Sequence, residues 1–208
     1  DNEIQGKAIY PTPVVGMVGL IEDIDRHCTS GFKDKGDLVF LLGGEGIDGL
    51  DGSEYLELVH GQVAGRPVID LDLEKSSQQC CLSLIRSGVI KSAHDCSDGG
   101  LAVAVAECCI LGSIGIEAGC KIRDRLDAAL FGEEPSRFVV SVAPTKAAKL
   151  KKEAARQGVR LMELGEVGGT RLVVEGLVNA RLDDLRTAWR GALERALSEL
   201  VRRHESLR

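Results

Sequence analysis

Aromatic residues are scarce in this sequence, at 3% of 208 residues, and several other features that announce common functions are scarce or missing. No apolar run reaches the length of about 18 residues that a membrane helix needs, and no basic-then-apolar leader opens the chain. Neither a membrane span nor a signal peptide is therefore expected, and the cytoplasm is the expected compartment. The four histidines, at positions 27, 60, 94 and 204, fall at no zinc-ligand spacing. The seven cysteines are odd in number and include no CxxC, which suits a reducing compartment better than a disulfide framework. Cys108 and Cys109 lie in an apolar run, where a thiol behaves as a small hydrophobe, so no structural metal is expected. A net charge of −6 with few rings argues against a nucleic-acid face, which needs basic groups and stacking platforms. An anionic ligand would have to be held locally, by backbone amides and helix N-termini.

What is present is enough apolar material, 44% of residues, to bury a sizeable core. The opening DNEIQGK is short, polar and uncapped, and reads as the interior of a longer chain. Residues 8–22 read as a proline-punctuated approach followed by a β-rich run that needs a sheet to join. Asp37–Leu42 reads as a buried strand. A glycine-rich loop from Gly43 to Gly52 then leads to a helix capped by Ser53. Asp70 and Asp72 open a second helix with Leu73, Ser77, Cys80, Cys81, Leu84 and Ile85 on one face and Gly88 as its stop. A strand over Val89–His94, the loop DCSDGG and a buried alanine-rich helix follow, then strands over Ile114–Ala118 and Arg137–Ala143. Thr145 is placed as the cap of an exposed helix closed by Gly158. Strands around Arg160–Leu164 and Thr170–Glu175 are joined by Gly168 and Gly169 as a hairpin. An amphipathic last helix starts behind Asp183. The fold class is α+β, a layered mixed sheet with packed helices.

Two segments can carry chemistry. In His94-Asp95-Cys96-Ser97-Asp98-Gly99-Gly100, between a strand and a buried helix, the glycines let the backbone approach a phosphate and the helix start offers free N–H groups. Asp95 is the candidate ligand for Mg²⁺, which takes oxygen donors and often bridges to phosphate. The plainer reading is a helix cap, Ser97 or Asp98, on a tight turn, because SDGG is neither a Walker motif nor GxGxxG. In the second segment, ahead of the strand FVVSV, Arg137 can pair with phosphate and Glu134 can accept an amine or hydroxyl. An exposed charged turn is the alternative there. His94 reads more simply as a structural histidine than as a base.

Taken together, AIYPTPVVGMVGLIED, KGDLVFLLGG with GSEYLE, and AHDCSDGGLAVAVAE with LFGEEPSRFVVSV resemble, in order and spacing, the second half of the phosphoribosylformylglycinamidine synthase family. The likeness runs to about residue 175 and also touches the wider aminoimidazole ribonucleotide synthetase superfamily. It implies a layout in which residues 1–30 are the last strand and linker of a preceding N-terminal-type domain and residues 31–208 are a C-terminal-type domain. It implies ATP or ADP and Mg²⁺ as cofactors of the full-length enzyme, and formylglycinamide ribonucleotide with glutamine-derived ammonia as its substrates. The implied partners are the remaining domains, a glutamine amidotransferase subunit or fused glutaminase domain, and a small accessory subunit. Self-association through the unpaired N-terminal strand is left open. By position the resemblance places Asp95 at a metal and Glu134 and Ser136 at substrate; together with the loop Ser97, Asp98, Gly99 and Gly100 and with Arg137, which are read from the residues themselves, they make the expected phosphate or nucleotide site.

The family's GNVS phosphate element and its first-half histidine have no counterpart here, so no catalytic residue is assigned and this chain alone is expected to be inactive. Cys96 inside HDCSDGG, Asp51 ahead of GSEY and Asp1 in place of a tyrosine depart from the family pattern, and they weaken inference about the Asp51 loop most. Two rival readings remain: a non-catalytic scaffold or auxiliary nucleotide-binding domain, and another superfamily enzyme such as aminoimidazole ribonucleotide synthetase, selenophosphate synthetase or thiamine-phosphate kinase.

Overall fold

The computed structural model describes residues 3–4, 7–8, 13–44, 49–119 and 125–205, and side chains within 13–44, 49–119, 125–198 and at 202. Part of the glycine-rich loop after Gly44, along with Tyr10 and Cys120, lies outside those residues.

Two short strands at the start, β1 (Glu3–Ile4) and β2 (Lys7–Ala8), pair with each other and, among the described residues, with no other strand. The body is built on β3 (Leu38–Gly43), whose run LVFLLG is apolar at every position but the last because both of its faces are covered. Val39 and Leu41 point into one core with Val139, Leu164 and Ile116, while Phe40 and Leu42 point into a second with Val140, Val142 and Leu84. This period-2 division puts one helix layer on each side of a seven-stranded sheet. Its order is β4 (Ile90–Asp95), β6 (Arg137–Val142), β3, β7 (Leu161–Val167), β5 (Ile116–Ala118), β8 (Arg171–Val174), β9 (Val178–Arg181). All neighbours are antiparallel except β5 and β8, so the sheet is mixed and the fold is α+β as expected.

One helix layer contains α2 (Leu71–Arg86) and α5 (Ala147–Arg156). The other contains α3 (Gly100–Gly112), α4 (Leu126–Phe131) and α6 (Leu182–Arg190). Helix α2 starts where Asp70 accepts from the amides of Asp72 and Leu73, and it buries Ser77, Cys80, Cys81 and Leu84 at helical spacing. Helix α3 is apolar almost all round, as a helix pressed between a sheet and other helices must be. Cys108 and Cys109 are fully buried in it, and burial pushes the Cys109 thiol up to about 12. The short α1 (Glu54–His60) is capped by Ser53 and buries none of its residues.

Several sequence expectations are corrected. Residues 13–21 form no strand: the chain runs over the surface with Val14, Met17 and Val18 at 95%, 93% and 103% exposure. The turn at Gly168–Gly169 does not make a hairpin, because β5 inserts between β7 and β8 and pairs with both. Thr145 is no cap; it lies inside a 3-10 turn, Pro144–Lys146, that leads into α5. Asp183 stands in the first turn of α6, after Arg181, and gives no capping bond. The last helix divides at Gly191 into α6 and α7 (Ala192–Glu205). Helix α4 and strand β9 were not anticipated.

Candidate functional site

Antiparallel pairing of β4 with β6 sets Asp95 opposite Phe138, and the Cys96 amide donates to the Arg137 carbonyl at 3.0 Å. The two segments singled out in the sequence are therefore laid side by side by sheet register. Against them stands one face of α2, from Glu74 to Ile85, and between these elements opens a cleft of about 540 Å³. Asp95, Ser97, Ser136 and Arg137 line it, joined by His94, Cys96, Glu74 and Gln78. Asp98, Gly99, Gly100 and Glu134 do not.

One wall is set by a strained residue. Ser136 adopts φ +67, a left-handed conformation rare for a side chain with Cβ, and is buried. Two bonds hold it there: its hydroxyl donates to the Glu74 carboxylate, and its carbonyl accepts from the Gly44 amide at 3.1 Å. Glu74 also accepts from the Gln78 side chain.

Arg137, 2% exposed, is held from below. Its Nη2 donates to the Gly132 carbonyl and its Nε to the Glu134 carbonyl at 3.3 Å, while Nη1 is buried without a hydrogen-bond partner among the described residues. A cation sunk into a cleft wall, whose partners among the described residues are carbonyl dipoles, draws an anion toward that wall. The thiols beside it are held toward their neutral form by burial. Burial pushes Cys96 up to about 11 against the opposing Arg137 charge, and burial pushes Cys81 up to about 12.

The start of α3 is built differently from the sequence reading. Gly99 is the N-terminal residue before the helix and no side chain of its own loop caps it. Instead Glu133 reaches across, and one of its carboxylate oxygens accepts from the Gly99 amide at 2.7 Å and from the Glu54 amide at 3.0 Å. The Gly100 amide donates to the Ser97 carbonyl, and the Ser97 hydroxyl to Asp95. Gly100, at φ +66, must be glycine, since a Cβ would press into the Gly132 backbone. Sequence reasoning missed Glu74, Gln78 and Glu133. Glu74 and Gln78 belong to a distant helix, and no local signal separates Glu133 from its neighbour Glu134.

His94 stands at the rim with its side chain 15% exposed, and its Nε2 lies 3.0 Å from Glu107 of α3. That carboxylate also accepts from the Trp189 indole of α6 at 3.0 Å. Among the described residues no group of three or more His, Cys, Asp or Glu side chains could hold a metal ion. Among the described residues Asp95 therefore stands without the companion side chains that a cation site built by the protein alone would need.

Residues 34–176 match the family model described as AIR synthase related protein, C-terminal domain. The phosphoribosylformylglycinamidine synthase subunit PurL of Anaeromyxobacter dehalogenans is 43% identical over 208 residues, covering 94% of this chain and 27% of the relative. PurL of Moorella thermoacetica is 43% identical over 197 residues, with 92% and 27% covered. The chain therefore spans about a quarter of the length of the curated relatives it matches. Among solved structures, Thermotoga maritima PurL complexed with FGAR superposes with a TM-score of 0.67 at 21% identity, over 78% of this chain and 30% of that one. The same protein complexed with ADP gives 0.63 at 18% identity, over 78% and 27%. At these identities the structures bear on the fold alone.

Proposed function

The chain belongs to the AIR synthase related protein family through its C-terminal domain, and from that premise we propose that it is the second C-terminal-type domain of a phosphoribosylformylglycinamidine synthase. The whole enzyme would convert formylglycinamide ribonucleotide, ATP and glutamine-derived ammonia to the formylglycinamidine ribonucleotide, in the cytoplasm. The observation that carries this reading is 43% identity to a PurL subunit over 94% of the chain. The remaining domains, a glutaminase and a small accessory subunit would be its partners. A relative solved as PurLQS from Thermotoga maritima is in keeping with such an assembly. No helix among the described residues is long and apolar enough to cross a membrane.

Within this enzyme the cleft beside β4 and β6 takes a phosphate-bearing ligand, with the buried Arg137 guanidinium drawing the anion and the Ser97 and Ser136 hydroxyls on either side. Asp98, Gly99, Gly100 and Glu134 shape its surroundings rather than its wall. Mg²⁺ accompanying the nucleotide would meet Asp95 and screen the phosphate charge. The domain assembles no site for amide activation by itself, so the 208-residue chain with ATP, Mg²⁺ and ammonia should release no ADP above background.

Isothermal titration of the chain with ADP and Mg²⁺ tests the cleft. Binding that Asp95→Asn and Arg137→Met both weaken supports it, and absence of heat rejects it. A specific observation favours the scaffold reading as the second choice: Glu133 already occupies the amide at the start of α3 that a phosphate would otherwise use.

A further inference from the structure

Helix α3 is an apolar helix with one charged residue. Glu107 interrupts GLAVAVAECCILG, and nothing in the helix's own pattern asks for a carboxylate there, since alanine has higher helix propensity and would suit the burial. The reason lies in its partners. One oxygen sits 3.0 Å from His94 Nε2, at the end of β4 and on the cleft rim; the other accepts the Trp189 indole N–H at 3.0 Å. The Glu107 side chain is 26% exposed, so its bonds are only partly screened by water.

Helix α6 is fixed to α3 along a single face. Leu182 is buried, Leu185 packs on the same core, Arg186 donates to the Ser113 hydroxyl at 3.2 Å, and Trp189 ends the row at Glu107. These positions recur at three- and four-residue steps, so the helix cannot turn about its axis without breaking the Trp189 bond. Helix α6 also lies beyond residue 176, where the family match stops.

We infer that Glu107 is a positioning residue, one that ties the His94 side of the cleft to α6, so that the Trp189 indole registers what happens at the cleft. The inference rests on the reading of the cleft as a ligand site for its regulatory meaning, but the tie itself can be tested without ligand. When a ligand shifts the β4 end, the imidazole moves against Glu107 and α6 responds; a partner seated on α6 would act on the cleft by the same route.

Trp189 is the one tryptophan in the sequence, so a ¹⁵N-labelled chain gives one indole cross-peak to follow. His94→Ala, which leaves the Glu107 acceptor of Trp189 in place, should shift that peak. Glu107→Ala should move it to the position of a solvent-bonded indole, and Glu107→Gln, which keeps an acceptor oxygen, should restore most of the shift. An indole peak identical in the parent and His94→Ala chains, with both folded by circular dichroism, overturns the tie. On titration with ADP and Mg²⁺ the peak should move with the same midpoint as the heat. Glu107→Ala should bind about two- to ten-fold more weakly, the range expected for one lost hydrogen bond. Heat with a silent indole overturns the coupling and leaves the cleft reading standing. No heat sinks the cleft reading, while the ligand-free comparison still decides the tie.

Discussion

Two runs of similar composition meet opposite fates in this chain. LVFLLG becomes β3, the strand with all of Val39, Phe40, Leu41 and Leu42 at 3% exposure or less. VVGMVGLI, only some twenty residues earlier, lies on the surface with Val14 at 95%, Val18 at 103% and Leu20 at 89%. Both are rich in aliphatic residues, and it is the exposed run that carries more β-branched ones, so side-chain strand preference does not explain which is buried. What separates them is a partner on each edge: β3 has β6 and β7, while the earlier run pairs with nothing among the described residues. Burial is a property of the surroundings a run finds, and an apolar run without them stays exposed at a cost in solubility.

The sharpest way to break that contrast is at two glycines. Gly100 is packed against the Gly132 backbone at positive φ, whereas a Cβ at Gly16 would meet nothing within 4 Å. Gly100→Val should cost about 2–5 kcal/mol of unfolding free energy in urea through strain and overpacking. Gly16→Val should cost less than about 0.5 kcal/mol. Next in size, Leu42→Ala should lose about 3 kcal/mol by leaving a cavity between α2 and the sheet, against less than about 0.5 kcal/mol for Val18→Ala. A comparable loss at Val18 would mean that the run is packed after all.

Smaller effects separate local from distant support. Ser53→Ala should lower stability by about 1 kcal/mol, because it removes the cap of a helix that buries nothing. Glu153 joins α5 to α2. Hydrogen bonds from Arg156, then Gln157 and Ser83, hold its carboxyl down to about 2 from the ordinary 4.5. A depressed carboxyl contributes stability that is complete above the ordinary value and is lost as pH falls toward the folded one. Acid titration from pH 5 to pH 2, followed by circular dichroism, should show a shallower loss in Glu153→Gln than in the parent. The difference should be small, because water screens the group. Equal slopes would remove Glu153 from the acid response.

The sequence made the local pieces readable. Strands β3 and β6 came from their apolar runs, α2 from Asp70 and its cysteine-bearing face, and α3 from the alanine-rich stretch after SDGG. Topology was less legible: Gly168–Gly169 has the chemistry of a hairpin, yet β5, some fifty residues earlier, takes the place between β7 and β8. No local signal carries that, since strand order is decided by which edges remain free. Half of the cleft was legible for the same reason. Asp95, Ser97, Ser136 and Arg137 sit at the two strand ends that register brings together, whereas Glu74 and Gln78 come from a helix chosen by packing. The cap at Gly99 was misplaced because its acceptor, Glu133, is 34 residues away.

The contrast between the two runs is tested most directly by native-state hydrogen exchange on the 208-residue chain, comparing backbone amides of residues 14–24 with those of 38–43. The amides of β3 should exchange only with global unfolding, and those of the earlier run should exchange near the rate of an unstructured peptide. Protection of residues 14–24 approaching that of β3 would contradict the account, because it would mean that the run finds a sheet within this chain.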